Sequence, residues 1–283
     1  MVSVVALALL APSAAWYVDP DCMKTANLVY SAHIDEAKAR IAELAASKDL
    51  DDQACALWVS ATMKEMEIAL FDDADHLWAE MQADLDAMEK FGREHGSELR
   101  FADLVLEAEF RRVRVFAEQE EKMDAMRAAR RAQTLLEERR EKKKGSPSYF
   151  YAEALINLAI THADWHVRAA CALLGMRGDG KRGKKAMALL LKNKSVYQSE
   201  AMVVARSFTV RVPGLFDEPL IYSAKLRKKH PDNPQLAFDH AIDLGKIERC
   251  EEAMATLQSV LPKAPTYSKN VQAKLTRAQA ACN

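Results

Sequence analysis

Glycine and proline are scarce, 9 of each in 283 residues. Ala, Leu, Glu, Lys and Met are plentiful instead, and these residues favour helices. Windows rich in β-branched residues are few, so the expected fold class is all-α. A charge excess is also missing: 40 basic residues face 41 acidic ones, for a net charge of −1. A dedicated nucleic-acid binder usually carries a basic surplus, so no nucleic-acid partner is expected. No C-x-x-C occurs, which excludes zinc ribbons and thioredoxin-like chemistry. No G-x-S-x-G occurs, which removes that serine-hydrolase signature. The apolar run VSVVALALLAPSAA, residues 2–15, is shorter than the about 20 residues a spanning helix needs. No membrane span is expected.

That run carries no charge and ends in Ser13-Ala14-Ala15, with small residues at −3 and −1 of a cleavage site. It reads as a secretory signal peptide, residues 1–15, cut after Ala15. No Lys or Arg precedes its apolar core, which departs from the usual pattern. The competing readings are a true start elsewhere or a buried first helix. Export to a bacterial periplasm or envelope is the expectation. Cys22 follows no L-x-x-C pattern, so no lipid anchor is expected.

Past residue 20 the pattern is helix after helix. Ile34, Ala37, Ile41, Leu44 and Ala45 share one face of a helix over 34–47. Helices follow over roughly 52–70 and 73–91, with Met63, Met66, Met81 and Met88 on their apolar faces. Residues 97–144 read as one or two long helices. The part from Glu118 to Lys144 is dense in both charge signs, with Met123, Met126, Leu135 and Leu136 as its apolar positions. It is expected to be solvated and laced by i, i+4 ion pairs. EKKKGSPS, residues 141–148, divides the chain into 16–144 and 145–283. Shorter helices follow, from about 148 to 281.

Residues 236–265, LAFDHAIDLGKIERCEEAMATLQSVLPKAP, place small Ala241 and bulky Leu244 in a first helix. Ala253, Leu257 and Val260 fall in a second, and Pro265 ends it. These types and intervals resemble the tetratricopeptide repeat, with Val260 larger than usual. HPDNP at 230–234 resembles a junction between such repeats, and Leu226 and Pro231 take corresponding positions. Pro219 departs from the expected Ala. Ala37, Ile41 and Leu44 echo a further second helix. The resemblance implies a solenoid of stacked antiparallel helical hairpins, in which small residues permit close crossing. More distantly, ACALLGMRGDGKRGKKAMALLLK, residues 170–192, resembles the loop of the tetratricopeptide repeat protein 39 and inclusion-body-clearance family. Gly175, Met176, Gly178, Asp179 and Gly183 are the matching positions. That resemblance implies an all-helical repeat protein without a catalytic site.

Gly175, Gly180 and Lys181 also fit G-x-x-x-x-G-K. A phosphate loop follows a strand and has Ser or Thr after its Lys. Here a helical stretch precedes it and Arg182 stands in that place, so a turn between packed helices is expected. His162 and His166 lie at i, i+4, a spacing that can share zinc on one helix. Ala163 stands where H-E-x-x-H has Glu, and no third ligand can be named. A junction with Trp165 packed beneath is the expectation, and a metal-dependent hydrolase using both histidines is the alternative. A carrier of apolar ligands, using the Met-rich helices over 63–88, is the third.

Five cysteines leave at least one thiol unpaired within the chain. Cys171, among alanines, reads as a small core residue. In a stack of hairpins, Cys250 and Cys282 fall at the same level, and Cys22 and Cys55 on parallel first helices. Both pairs are disulfide candidates. The resulting expectation is a non-catalytic scaffold, with no cofactor and no metal, that holds a protein or peptide in a concave groove. Arg206, His240 and Asp243 are among the candidate groove residues.

Overall fold

A computed structural model of the protein describes residues 15–71, 75–141, 145–260 and 268–280. The signal segment, apart from Ala15, therefore lies outside the described residues, as do Pro265 and Cys282. All regular structure among the described residues is helical. A 3-10 turn, Trp16–Val18, leads into α1 (Pro20–Tyr30), α2 (Ile34–Ala45), α3 (Leu50–Leu70) and α4 (Asp75–Glu94). Then come α5 (Leu99–Glu118), α6 (Lys122–Glu141), α7 (Pro147–His162), α8 (Trp165–Leu173) and α9 (Gly180–Lys192). The last are α10 (Tyr197–Arg211), α11 (Pro219–Lys229), α12 (Pro234–Gly245), α13 (Cys250–Gln258) and α14 (Lys269–Ala280).

Local chemistry sets the boundaries. Asp19, Asp49, Ser146, Asp179 and Asn233 cap α1, α3, α7, α9 and α12 by accepting first-turn N–H bonds. Pro20, Pro147, Pro219 and Pro234 hold first helical positions, where no N–H partner is needed. Three turns share one geometry. After α1, α5 and α12, a non-glycine residue takes the left-handed region: Ala32, Glu120 and Glu248, with φ of 61°, 62° and 62°. In each, the next N–H reaches back to a carbonyl of the last turn, as in His33 N to Leu28 O at 3.0 Å.

Neighbouring helices in sequence pack on one another along most of the chain, with α9 rather than α8 against α7. The path then closes on itself. Residues 203 apart meet where Asn233 Nδ2 donates to the Tyr30 carbonyl at 2.7 Å. Gln235 Nε2 reaches the Ala69 carbonyl at 3.0 Å, and Ser268 N the Leu70 carbonyl at 2.6 Å. The main apolar core draws on both sides of the 144/145 division, from Trp16 and Trp58 to Tyr151, Tyr197 and Leu236. A second core joins Leu70 to Phe238, Ala241, Leu244, Ala253, Leu257 and Val260. Met63, Met81 and Met88 are buried and fill the core.

Of the one or two long helices expected over 97–144, the described residues form two, α5 and α6, with the break at Glu120. Two expectations change. The buried stripe of α6 is Ala128, Ala132 and Leu136 rather than its methionines, and Met123 is exposed. Alanines at i, i+4 let α6 approach α5 and α7 closely. Several of its ion pairs cross between helices: Arg131 to Glu109 at 2.9 Å and Arg139 to Asp103 at 3.1 Å. Trp165 is also not packed beneath the junction. It is 74% exposed, and Leu173 at the other end of α8 is 89% exposed. The reason is that α7 packs against α9, which leaves α8 on the outside.

Candidate functional site

The glycine loop resolves into helix ends. Gly175 has φ 73° and closes α8, with its N–H on Ala172 O at 3.0 Å and Met176 N on Cys171 O at 2.8 Å. Asp179 opens α9, accepting from Arg182 N at 3.0 Å, while its own N–H donates to Asn157 Oδ1 at 2.8 Å. Gly183 lets α9 lie against α7: a Cβ there would stand 2.9 Å from Leu158 Cγ. Helices flank the loop on both sides, where a phosphate loop has a strand before it.

His162 ends α7 and His166 belongs to α8, with the chain extended at Ala163 between them. The two therefore do not share one helical face. Cys22 and Cys55 form a disulfide between α1 and α3, with Cα atoms 5.7 Å apart. Cys250 is disulfide-bonded, and Cys282 lies outside the described residues. Cys171 is a free, half-buried thiol whose pKa burial pushes up. Arg206 and Asp243 are joined to each other: Nε to Oδ2 at 2.7 Å and Nη2 to Oδ1 at 2.8 Å. Arg206 also meets Asp239 Oδ2 at 3.2 Å. Both ends of that pair are buried, which removes them from a groove. His240 Nδ1 lies 3.1 Å from Ser223 Oγ, and burial lowers its pKa.

A buried cluster of polar groups joins several helices. Glu107 on α5 is fully buried. It accepts from Trp58 Nε1 at 3.2 Å, Arg111 Nε at 2.9 Å and Ser148 Oγ at 3.3 Å. Arg111 also meets Glu65 at 3.0 Å, Thr62 Oγ1 at 3.0 Å and Glu200 at 3.6 Å. Three carboxylates thus surround one buried guanidinium, with Arg114 3.5 Å from Glu65 at the rim. Desolvation raises Glu107, and it raises Glu200 to about 7 despite the nearby Arg111. Burial thus brings the titration of Glu200 up to near neutrality. The cluster joins α3, α5, α7 and α10. Arg111 is enclosed, so the network ties helices together rather than meeting solvent. Sequence reasoning missed it, because only Glu107 and Arg111 share a local spacing, i, i+4, while Glu65 and Glu200 come from α3 and α10.

An open site lies elsewhere. Between α9 and α11 runs a groove of about 800 Å³. Met202, Leu215, Phe216 and Tyr222 give it an apolar floor, and Lys184, Lys192, Lys225 and Lys229 stand around it. All four lysines are exposed, and among the described residues no ion pair joins them to a carboxylate. Lys184 Nζ stands 5.9 Å over the Phe216 ring. Lys229 Nζ donates to Ser199 Oγ at 3.0 Å, and burial lowers its pKa. Neither α9 nor α11 contains an Asp or Glu, so Asp217 is the acid that lines the groove. This signal was present in the sequence as two acid-free stretches, 180–192 and 219–229. Their meeting across a groove was not.

Comparison with family models, characterised proteins and solved structures yields no match. No helix among the described residues is long and apolar enough to cross a membrane.

Proposed function

We propose that the protein is a non-catalytic scaffold, exported to the periplasm or envelope, whose α9–α11 groove holds an acidic, apolar segment of a protein partner. The observation that carries this reading is the groove itself. Four lysines without carboxylate partners surround an apolar floor, in a chain whose net charge is only −1. Such a field attracts acidic chains, and the half-buried Leu215 and Phe216 side chains supply contact area for the apolar residues between the charges. Trp58, Tyr197 and the Arg111 cluster are buried among the helices, which favours the α9–α11 groove over them as the binding surface. A tetratricopeptide-like stack of helical hairpins is the architecture that fits best. Its support is the burial of Ala241, Leu244, Ala253, Leu257 and Val260, and the turn repeated at Ala32, Glu120 and Glu248.

A random glutamate–tyrosine copolymer is a suitable probe, with duplex DNA of equal charge as its control. The copolymer is expected to bind and the DNA to bind at least tenfold more weakly. A Lys184→Glu, Lys225→Glu variant is expected to lose at least tenfold in copolymer affinity with its helical circular dichroism unchanged. Equal binding of DNA, or unchanged affinity in the variant, overturns the reading. Capture from periplasm should recover one stoichiometric partner with the parent chain and none with the variant.

A further inference from the structure

The expected cut falls directly before a buried residue. Trp16 is wholly buried, its ring tilted against those of Trp58 at 6.0 Å and Tyr197 at 6.4 Å, with Nε1 donating to the Arg100 carbonyl at 2.9 Å. No slack separates Ala15 from the core. The Trp16 backbone nitrogen is itself held: it donates to Asp51 Oδ1 at 3.0 Å. Asp51 sits in the first turn of α3, and its Oδ2 meets Arg100 Nη2 at 3.1 Å. Arg100 also meets Glu98 Oε2 at 2.9 Å. Arg100 thus faces two carboxylates, and Asp49 adds a further negative charge near Asp51. Acids outnumber the cation around the nitrogen that the cut would free.

We propose that cleavage between Ala15 and Trp16 leaves an α-ammonium on Trp16 that pairs with the Asp51 carboxylate and completes a charge cluster with Arg100 and Glu98. The proposal rests on the reading that the chain is exported and cut after Ala15. A signal endopeptidase supplies the reaction, and water is the co-reactant. The C–N bond of Ala15–Trp16 breaks, the water oxygen joins the Ala15 carbonyl carbon to give a carboxylate, and the nitrogen gains both protons to become an ammonium. The nitrogen keeps its place, but its bond to Asp51 changes from neutral to charge-assisted, which is stronger. The cut removes the Ala15 carbonyl that Val18 N–H bonds at 2.9 Å, so the new ion pair takes over part of the anchoring. Processing thereby becomes part of the fold: the first residue of the mature chain is locked to α3 and α5.

The test uses the chain made to begin at Trp16 by cleavage of a fusion, which needs no export. Its α-amine is expected to react with an amine-acylating reagent at least tenfold more slowly in the native protein than in urea, with surface lysines as internal standards. In Asp51→Asn the native α-amine should label at least tenfold faster than in the parent. One added glycine before Trp16 should lower the melting temperature of the parent chain and leave that of Asp51→Asn unchanged. Equal native and unfolded labelling rates, or the same loss in both backgrounds, overturns the pairing. If Asp51→Asn fails to fold, the native-to-urea ratio and Glu98→Gln decide, the latter expected to speed labelling. Mass spectrometry of the exported protein tests the cut separately. A first residue other than Trp16 overturns the processing step whatever the labelling shows.

Discussion

Asn233 and Tyr30 close the molecule: the buried Asn233 side chain donates to the Tyr30 carbonyl at 2.7 Å, and its Oδ1 accepts from Leu236 N at 3.1 Å. One amide thus caps α12 and ties it to the end of α1. Asn233→Ala is expected to cost about 2–3 kcal/mol, the sum of a lost cap and a buried carbonyl left unpaired. Asn233→Asp keeps the cap acceptor and loses the donor, so it should remain destabilised. Urea denaturation of both variants measures this.

Glu200 supplies a pH dependence. Its folded pKa of about 7 lies above the usual carboxylate value, because burial disfavours its charge. The folded state therefore binds the proton more tightly than the unfolded one. This contribution to stability is full below the ordinary carboxylate pKa and is lost as pH rises through about 7. Glu200→Gln removes it. The variant should gain on the parent between pH 5 and pH 8, by on the order of 1–3 kcal/mol. Denaturation midpoints at the two pH values give the difference directly.

The Cys22–Cys55 disulfide joins residues 33 apart in sequence. Replacing both by alanine is expected to lower stability by about 3–4 kcal/mol through the freer unfolded chain. Reduction of the parent protein before urea titration should shift its midpoint in the same direction. The double variant should shift little on reduction, apart from the effect at Cys250.

Glu120 and Glu248 stand in the left-handed region on exposed turns. Their Cβ atoms are strained there, and glycine has none. Glu120→Gly and Glu248→Gly should each stabilise by about 1 kcal/mol, less what the freer unfolded chain takes back. The melting temperature of each single variant checks it.

Gly183 makes the opposite prediction. A methyl group there meets Leu158 Cγ at 2.9 Å and Asn157 Cβ at 3.1 Å. Gly183→Ala should destabilise by about 1–3 kcal/mol despite alanine's better helix propensity. If the variant is as stable as the parent, α7 and α9 are not packed this closely.

Much of the local structure was legible. The periodicity of Ile34, Ala37, Ile41 and Leu44 marked α2 to within two residues, and Ser146-Pro147 marked the start of α7. The glycine loop was readable as a turn, because Arg182 and the helical stretch before it spoke against phosphate binding. What could not be read depended on neighbours. Alanines carry no strong apolar signal, so the buried face of α6 was hidden behind its methionines. Trp165 looked like a packing residue because tryptophan usually is one, yet the pairing of α7 with α9 leaves it outside. Arg206 and Asp243 looked available, and the folded chain instead pairs them with each other between α10 and α12.

Helix content and helix ends follow from local spacing, since a period of 3.6 residues and a cap need only neighbours in sequence. The closure at Asn233 and Tyr30, the buried acid beside Arg111, and the groove between α9 and α11 do not. Each brings together groups dozens to hundreds of residues apart. Their energies depend on burial and distance, which exist only once the helices have packed.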